Sequence, residues 1–310
     1  MAMMPAFSRP GSDAPDATDT IAVDELQRAV RQIIDDGVDL IGACGSFGEG
    51  WALLDDEYRT LVAATVEAVD GRVPLFVGCI GLSGREIIRK IGWARDAGAR
   101  GVLVGLPFYY PLDVATAVRF YRDVAEMFAD LQIVIYHNPL HFRTRIPVEA
   151  FADICTSKNI VGLKDSHRET RAFLELIRVS SPGFSVFVST RQYYPYVELG
   201  AAGFWSYECW MGPEPVLRLR DLISLGDIAG AVEVQCELMG AHETPTPPVW
   251  RETAAKLAVG MAGYCKPGSL RHPYREIPAA VKEQAAARAG YWSALVAKYR
   301  KNRAHWPVGK

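Results

Sequence analysis

Short runs of consecutive apolar residues alternate along the chain with longer segments in which apolar residues recur every three or four positions. The short runs are typical of parallel β-strands buried on both faces, because such strands are continuously hydrophobic rather than alternating. Seven such runs occupy residues 38–43, 73–78, 101–105, 133–136, 160–164, 184–188 and 203–206. An eighth, opening strand is predicted within residues 3–7.

The longer segments have the periodicity of amphipathic helices. They occupy residues 23–36, 55–69, 85–97, 114–128 and 168–180. Ser83 is predicted to cap the third of these helices, with Glu86 three residues later completing a capping box. After residue 225 the pattern changes to helices alone, at 228–239, 249–262 and 279–299.

Eight strands with crossover helices within the first 225 residues indicate an α/β protein with a (β/α)8 barrel, the TIM-barrel architecture. A doubly wound sheet is the alternative, but it usually carries a glycine-rich phosphate turn after its first strand, and this sequence has none. We therefore predict a barrel over residues 1–225 and a C-terminal helical extension, residues 226–310, packed on it.

Composition narrows the class of protein further. The 310 residues include 34 Lys and Arg against 36 Asp and Glu, so no electrostatic footprint for nucleic acid or an anionic membrane is present. The apolar runs are shorter than the roughly 20 residues that span a bilayer, and the first residues do not resemble a secretory signal. Six widely separated cysteines suit a reducing compartment. We expect a cytoplasmic protein.

In a (β/α)8 barrel the active site lies where the strands end, and two residues at such ends stand out. Lys164 ends an apolar strand, where desolvation would lower its pKa and leave a neutral amine able to attack a carbonyl group. Asp165 is expected to point to the other face, because side chains alternate along a strand. Tyr136 ends the preceding strand, where its phenol could exchange protons with a substrate oxygen. Each also has a structural interpretation: Lys164 as a strand-end lysine that reaches solvent or pairs with Asp165, and Tyr136 as a tyrosine that closes the core.

A third element is the turn Gly45-Ser46-Phe47-Gly48-Glu49, between a strand and a helix. Its glycines allow close approach of a ligand to the backbone, and amides near a helix start can bind a carboxylate. His137, His141 and His167 lie on different loops without carboxylate partners in register. Since a metal site needs three or four convergent ligands, we predict that no metal is bound.

These residues together resemble the dihydrodipicolinate synthase/N-acetylneuraminate lyase superfamily, the class I pyruvate-dependent aldolases. The resemblance rests on the Gly45–Glu49 turn, on Tyr136 followed by Asn138 and Pro139, and on Lys164 in a Gly-Leu-Lys strand end. Several segments are most similar to the trans-o-hydroxybenzylidenepyruvate hydratase-aldolases of aromatic degradation. They include residues 116–126, the Tyr-His-Asn-Pro run at 136–139 and the Phe-Trp-Ser run at 204–206.

The resemblance implies a mechanism and its residues. Lys164 would form a Schiff base with a 2-oxo acid, Tyr136 would shuttle the proton, and Ser46 would relay it, with Tyr109 of a neighbouring subunit completing the relay. Ser46, Phe47 and Gly48 would hold the pyruvyl carboxylate, and Asn138 would orient water. No cofactor is required, because the lysine supplies the electrophile, and a homotetramer is expected from the family.

The expected partners are small molecules: pyruvate and an aldehyde. The aldehyde half would contact His141, Trp205, Ser206 and further aromatic side chains, an environment that favours a flat aryl group over a sugar. These aromatic residues are Phe47, Tyr109, Phe142, Trp205, Tyr207 and Trp210.

Other functions stay open from the sequence. Within the same superfamily the alternatives are a sugar-acid aldolase or dehydratase, and a dihydrodipicolinate synthase. The latter carries an arginine two residues after the strand-end proline, where this chain has His141, although Arg143 lies close by. From other classes, the alternatives are a catalytically silent barrel that binds a 2-oxo acid and a metal-dependent barrel lyase.

Overall fold

Eight parallel strands form a (β/α)8 barrel in the computed structural model, which describes residues 1–165, 168–241 and 246–303. The strands pair in chain order, and a bridge between Ala2 and Ser206 joins the last strand to the first. They are β1 (Ala2–Met3), β2 (Ile41–Ala43), β3 (Leu75–Cys79), β4 (Gly101–Val104), β5 (Gln132–Tyr136), β6 (Ile160–Lys164), β7 (Ser185–Ser189) and β8 (Gly203–Trp205).

Helices follow most of the strands and cover the outside of the barrel. They are α1 (Val23–Asp35), α2 (Asp55–Val69), α3 (Gly84–Asp96), α4 (Val114–Met127), α5 (Pro139–Phe142), α6 (Ala150–Ile154), α7 (Thr170–Val179), α8 (Tyr193–Tyr196), α9 (Glu214–Ser224), α10 (Ile228–Gly240), α11 (Arg251–Ala262) and α12 (Ala279–Asn302). None of the helices in the described ranges is both long and apolar enough to cross a membrane.

The predicted strands overlap the observed ones, and two of them differ most in extent: β2 covers only Ile41–Ala43 of the predicted 38–43, and the opening strand is shifted. β1 is Ala2–Met3 rather than a strand within residues 3–7. The Met4 amide still donates to the Gly42 carbonyl at 2.8 Å, so the ladder to β2 reaches one residue further. Pro5 has no N–H with which to continue it, and the strand ends there. The residues that follow, Ala6 and Phe7, are buried outside the sheet.

Local sequence explains where α3 begins. Ser83 has an extended backbone, and its hydroxyl accepts a hydrogen bond from the Glu86 amide at 3.3 Å, as a helix N-cap does. The carboxylate of Glu86 accepts from the Leu82 amide at 2.8 Å rather than from the Ser83 amide. The predicted capping box is therefore only half right, because the carboxylate reaches one residue further back.

The described elements after residue 225 are all helical, as the sequence predicted. Hydrogen bonds fasten them to the barrel, and two of these come from aromatic side chains. The indole N–H of Trp292, in α12, donates to the Gly212 carbonyl at 2.9 Å. The Tyr264 hydroxyl donates to Asp36 at 2.7 Å. The extension therefore lies against the same barrel whose strand ends carry the predicted site. Its boundary at residue 225 stays a prediction.

Candidate active site

Lys164, the last residue of β6, has an almost completely buried side chain that is 4% exposed. Its Nζ lies 3.8 Å from the ring centre of Trp205 and 4.2 Å from that of Tyr136. Burial lowers the pKa of Lys164 below its ordinary value, because removal from water disfavours the ammonium form. The nearby Tyr136 hydroxyl and Glu252 carboxylate oppose this lowering of the pKa only in part. Burial therefore shifts the protonation equilibrium of this amine towards the neutral, nucleophilic form.

The acidic neighbour of Lys164 has other partners. The Asp165 carboxylate lies 2.5 Å from Nε of Arg168 and 3.3 Å from Nδ1 of His137, and all three side chains are buried. The Ile146 amide donates to Nε2 of His137 at 3.2 Å, so the proton of a neutral imidazole is on Nδ1, facing Asp165. A strand-end lysine paired with the adjacent aspartate is therefore not what the structure contains.

Tyr136 ends β5 and stands directly beside Lys164 in the sheet register. Its hydroxyl donates to Oγ of Ser46 at 3.0 Å. The edge of its ring packs against Phe142, with ring centres 5.0 Å apart. These contacts fix the phenol between the lysine and the Ser46 turn, in reach of both a proton acceptor and the amine.

The turn that carries Ser46 is held in a conformation that needs its glycines. A Cβ atom on Gly48 would lie 3.0 Å from both the Cys44 nitrogen and the Met4 carbonyl oxygen, closer than side chains normally approach backbone. Glu49 has a positive φ of 49°, which is uncommon for a residue with a side chain. The compact turn presents the Ser46 hydroxyl to Tyr136.

A buried ionic cluster anchors this turn to the C-terminal extension. The Glu49 carboxylate accepts hydrogen bonds from Lys256 Nζ at 2.9 Å and from Arg271 Nη1 at 2.7 Å. Lys256 also donates to Ser8 at 3.0 Å, and Arg271 donates to Thr20 at 2.7 Å. Burial lowers the pKa of Lys256, and the Glu49 carboxylate opposes this. The cluster around the Glu49 carboxylate therefore links three segments: the turn that carries Ser46, the N-terminal loop that carries Ser8 and Thr20, and α11.

A cavity of about 480 Å³ opens above Lys164 at the carboxyl ends of the strands. Its floor is formed by Lys164, Tyr136 and Trp205, whose indole N–H donates to the Asp165 carbonyl at 3.4 Å. The remaining lining comes from strand-end loops and from the C-terminal helices. It comprises Met3, Phe47, Asn138, Leu140, His141, Ser189, Thr190, Arg191, Tyr207, Glu208, Thr246, Arg251, Glu252, Ala255 and Arg288.

A second cavity of about 750 Å³ adjoins the first and shares five lining residues with it: Phe47, Leu140, His141, Arg251 and Glu252. Its surface is mainly apolar, and Ser46 and Phe142 face it. The Ser46 side chain therefore borders the second cavity, whereas the Lys164 side chain faces the first. The Phe47 ring, which lines both, packs on Tyr207 with centres 5.1 Å apart.

Four residues predicted to contact substrate line neither cavity: Gly48, Tyr109, Ser206 and Trp210. The Tyr109 side chain is 60% exposed and packs on Tyr110, outside both cavities of its own chain. Trp210 is fully buried against Phe7 and belongs to the core, so its predicted place in the aromatic lining is wrong. Ser206 is buried outside the cavity lining, and its hydroxyl donates to Glu208 at 2.7 Å. A strand-end position alone did not distinguish a core residue from a cavity residue.

The cavity also contains residues that the sequence analysis did not single out. Arg251 and Glu252 begin α11, and Arg288 lies in α12. They come from the extension, far along the chain from the strand ends, and no local pattern marks them as active-site residues. Arg191 could have been found, because it lies two residues after the end of β7.

Metal ligands do not converge in the parts of the chain that the structure describes: no group of three or more His, Cys, Asp or Glu side chains could hold an ion there. His137 is engaged with Asp165, and His141 lies 3.9 Å from Glu252. His167, the third histidine considered from the sequence, lies outside the described residues.

The chain combines a (β/α)8 barrel with a buried amine and a phenol at adjacent strand ends, an arrangement that suits a barrel lyase. Comparison with known proteins agrees: the family model for the dihydrodipicolinate synthetase family matches residues 14–289. The chain belongs to this family, whose members in the comparison are aldolases and other lyases.

Two groups of curated relatives stand out. The trans-O-hydroxybenzylidenepyruvate hydratase-aldolase of Pseudomonas aeruginosa is 32% identical, covering 96% of this chain and 92% of the relative. The trans-2'-carboxybenzalpyruvate hydratase-aldolase of Nocardioides sp. (strain KP7) is 30% identical, covering 96% and 93%. Among solved structures, PhdJ bound to a substrate intermediate superposes with a TM-score of 0.92 at 31% identity, covering 96% of each chain.

Proposed function

We propose that this enzyme is a hydratase-aldolase that converts an aryl-substituted 2-oxo-3-enoic acid and water into pyruvate and an aromatic aldehyde. The observation that carries the proposal is the Lys164 amine, buried between the rings of Trp205 and Tyr136 beneath an open cavity. Such an amine is poised to condense with a ketone. The hydratase-aldolase names of the relatives described above support the choice of substrate.

The first stage forms the Schiff base. Nζ of Lys164 attacks the C2 carbonyl, water leaves, and a protonated imine results. The adjacent carboxylate then lies beside the Ser46–Phe47 turn, where hydroxyl and backbone N–H groups can donate to it. Because Tyr136 hydrogen-bonds to Ser46 at 3.0 Å, the phenol can exchange the proton that imine formation releases and consumes.

Water then adds across the conjugated double bond, with the hydroxyl on C4 and the proton on C3. Asn138 lines the cavity, and its buried Oδ1 has no hydrogen-bond partner among the described groups. Its amide is thus available to hold a water molecule or the new hydroxyl group. We assign Asn138 this orienting role.

Cleavage follows from the same iminium. A base removes the C4 hydroxyl proton, the C3–C4 bond breaks, and its electron pair moves to the iminium nitrogen, giving an enamine and the free aldehyde. Tyr136 returns a proton to C3, and water hydrolyses the imine to pyruvate and the amine of Lys164. No step requires a cofactor, because the iminium is the electron sink.

The aromatic floor and wall favour an aryl aldehyde over a sugar. Phe47, Trp205 and Tyr207 present ring surfaces to the cavity, and sugar hydroxyls against them would lose hydrogen bonds to water without replacement. Dihydrodipicolinate synthesis is less well supported. His141 lines the cavity where that enzyme has an arginine, and Arg143 instead donates to the Tyr109 carbonyl at 3.0 Å.

Assembly is part of the proposal. Tyr109 lies on an exposed loop beside Tyr110 and does not reach the relay of its own chain. We propose that a second copy, within a homotetramer, brings its Tyr109 to the Ser46 side of the site, through the apolar space that Ser46 and Phe142 border. The exposed aromatic pair is the kind of surface that such an interface buries.

Reductive trapping tests the chemistry. Borohydride with pyruvate should leave a reduced pyruvyl adduct on Lys164, located by peptide mass spectrometry. Lys256 is an internal control, since its pKa is also lowered by burial but Ser8 and Glu49 bind it outside the cavity. Turnover of trans-o-hydroxybenzylidenepyruvate to pyruvate and o-hydroxybenzaldehyde should exceed condensation of pyruvate with sugar-derived aldehydes. An unmodified Lys164 would refute the proposal.

A further inference from the structure

A histidine and a glutamate that the proposed reaction does not yet use lie side by side at the cavity above Lys164. Nε2 of His141 is 3.9 Å from Oε1 of Glu252, and both residues line the first cavity and the second. His141 lies in α5, at the end of β5, whereas Glu252 lies in the first turn of α11 in the C-terminal extension. Both side chains are partly exposed, and a charge pair between such groups contributes little to stability. Stabilisation of the fold therefore does not account for the pair.

His141 shares a short turn with Asn138, the residue proposed to orient water. The Asn138 carbonyl accepts hydrogen bonds from the backbone amides of His141 at 3.0 Å and of Phe142 at 2.8 Å. The Asn138 side chain lines the same cavity, and its Oδ1 is buried without a hydrogen-bond partner in the part of the chain that the structure describes. A water molecule bound by Asn138 is thereby brought to the His141 side of the cavity.

Hydration and cleavage both need a base at C4, and no residue has yet been assigned to this task. Hydration removes a proton from the attacking water, and cleavage removes the proton of the C4 hydroxyl. Tyr136 gives a proton to C3 in these stages, so a second group is required to accept one. C4 is two bonds beyond the C2 atom that joins Lys164, which places it above the cavity floor, on the side of the strand-end loops.

The other titratable groups that line the first cavity are less suited to accept this proton. Burial raises the pKa of Tyr207 well above its ordinary value, so its phenol keeps its proton. Glu208 is buried and accepts a hydrogen bond from the Ser206 hydroxyl at 2.7 Å. Arginine side chains stay protonated, and Lys164 is occupied by the Schiff base. An imidazole is the side chain that most often serves as a general base.

We propose that His141 is the general base at C4, and that Glu252 orients its ring and stabilises the imidazolium that forms. The inference rests on the hydratase-aldolase function and adds to it a catalytic residue, His141, and a positioning residue, Glu252. The Glu252 carboxylate attracts the ring proton to Nε2, which leaves the lone pair of Nδ1 to accept a proton. A carboxylate beside an imidazole base fixes its tautomer and its orientation in this way.

The protons balance in each stage. In hydration, Nδ1 of His141 takes a proton from water as the oxygen bonds to C4, and the electron pair of the double bond moves through C3 and C2 to the iminium nitrogen. Tyr136 protonates C3, which restores the iminium, and the imidazolium returns its proton through water to the Tyr136 phenolate. In cleavage, Nδ1 takes the C4 hydroxyl proton as the C3–C4 bond breaks, and Tyr136 again protonates C3. Both residues end each stage as they began it.

A reaction of pyruvate alone separates His141 from the Schiff-base machinery. In D2O the enzyme should exchange the C3 protons of pyruvate through the enamine, which requires Lys164 and Tyr136 but no base at C4. In His141→Gln, release of o-hydroxybenzaldehyde from trans-o-hydroxybenzylidenepyruvate should fall about 10²- to 10⁴-fold, the contribution of a general base. Pyruvate exchange, followed by NMR, and borohydride trapping on Lys164 should both be retained in this variant.

Chemical rescue and variants of Glu252 test the two roles. Added imidazole should restore part of the cleavage activity of His141→Ala, because a free base can enter the space that the side chain leaves. Glu252→Gln should lower kcat for cleavage by about 5-fold, the effect of a partly exposed charge pair, and should retain pyruvate exchange. Glu252→Asp, which keeps the charge, should recover part of this loss. Glu283→Gln is the matched control, because Glu283 is exposed in α12 and lines neither cavity, and it should leave kcat unchanged.

The outcomes separate this inference from the function on which it rests. Absence of both the pyruvyl adduct on Lys164 and pyruvate exchange in the wild type refutes the hydratase-aldolase function itself. An adduct and exchange with full cleavage activity in His141→Gln overturn only the role of His141. A parallel loss of cleavage and exchange in His141→Gln, without rescue of His141→Ala by imidazole, would show a structural role and also overturn it. A larger loss of cleavage in Glu208→Gln than in His141→Gln would make Glu208 the base instead.

Discussion

Tyr136 and Lys164 are direct register partners on β5 and β6, and the Lys164 amine lies 4.2 Å from the centre of the Tyr136 ring. The hydrogen-bond ladder of the barrel therefore sets the spacing between the proposed nucleophile and the proposed proton carrier. Strand pairing is among the most rigid features of a protein fold. The relative position of the two groups is fixed before any substrate binds, which is the condition for efficient proton transfer.

Removing the phenol oxygen of Tyr136 should separate packing from chemistry. Tyr136→Phe keeps the ring against Phe142 but loses the hydrogen bond to Ser46, so kcat should fall about 10²- to 10⁴-fold while the melting temperature changes little. Tyr121→Phe is the control, since it removes a buried hydroxyl that donates to the Val104 carbonyl at 3.3 Å, away from the site. Equal kcat losses in the two variants would contradict the proton-carrier role.

The Ser46 hydroxyl is expected to act through its oxygen and not through the shape of the side chain. Ser46→Ala should lower kcat/KM by about 10- to 100-fold, because the Tyr136 hydroxyl loses its acceptor. Ser46→Thr preserves a hydroxyl at the same position and should stay within about 10-fold of the wild type. Steady-state kinetics of both variants decide the point. A larger loss for threonine than for alanine would show that space, not the hydroxyl, is limiting.

The buried Lys164 amine should lower the free energy of unfolding of the protein, by an amount that depends on pH. Its folded-state pKa is lowered by burial, so between that pKa and about 10.4 the unfolded chain binds a proton that the folded chain does not. Stability therefore rises with pH through this window, and the cost of the buried ammonium is fully present below it. Lys164→Met should raise the melting temperature by roughly 1–3 °C near neutral pH, and by less as pH approaches 10.

The control for this experiment is Lys158→Met, at an exposed lysine whose replacement removes no buried charge. Its effect on the melting temperature should be small at every pH. A stabilisation by Lys164→Met that grows as the pH rises would contradict the sign worked out above.

Substitutions in the buried cluster of Glu49, Lys256 and Arg271 should lower the free energy of unfolding by unequal amounts. Glu49→Gln leaves Lys256 and Arg271 buried without their counter-charge and should destabilise the fold by about 3–5 kcal/mol. Lys256→Met leaves Glu49 paired with Arg271 and should cost only about 1–2 kcal/mol. Urea unfolding measures both. Equal costs would mean that Arg271 does not compensate Glu49 once the lysine is gone.

Subunit mixing tests whether Tyr109 acts on a neighbouring copy. Tyr109→Phe and Lys164→Met should each have little activity alone. After joint unfolding and refolding, mixed pairs contain one site with Lys164 from one copy and Tyr109 from the other. Half of the pairs are mixed and each has one complete site of two, so activity should recover to roughly a quarter of the wild type. No recovery would place the action of Tyr109 within its own chain.

Much of the barrel could be predicted because buried parallel strands leave a continuous apolar run in the sequence. Lys164 could be predicted as a site residue because a lysine at the end of an apolar run is unusual. Tyr136 could then be predicted because it ends the preceding strand, next to Lys164 in the barrel. The opening strand was misplaced because two paired residues are too few to produce a pattern. Pro5, which ends the ladder, lay inside the predicted range.

The rim of the cavity could not be predicted in the same way. Arg251 and Arg288 lie on helices whose register against the barrel is set by tertiary contacts, such as that of Trp292 with Gly212. Trp210 illustrates the converse: it follows a strand end closely, yet its indole packs on Phe7 in the core. Distance along the chain carries no information about either arrangement.

The ionic link between Glu49 and α11 constrains how acceptor selectivity can be re-engineered. A chimaera that exchanges the C-terminal helices between relatives would transfer Arg251 and Arg288, which line the cavity. Lys164 and Tyr136 would stay with the host barrel. Such a graft has to carry Lys256 and Arg271 along with it, because these cations hold the loop that positions Ser46. Without these two residues, Glu49 would lose its buried counter-charges, and the turn that presents Ser46 to Tyr136 would no longer be held in place.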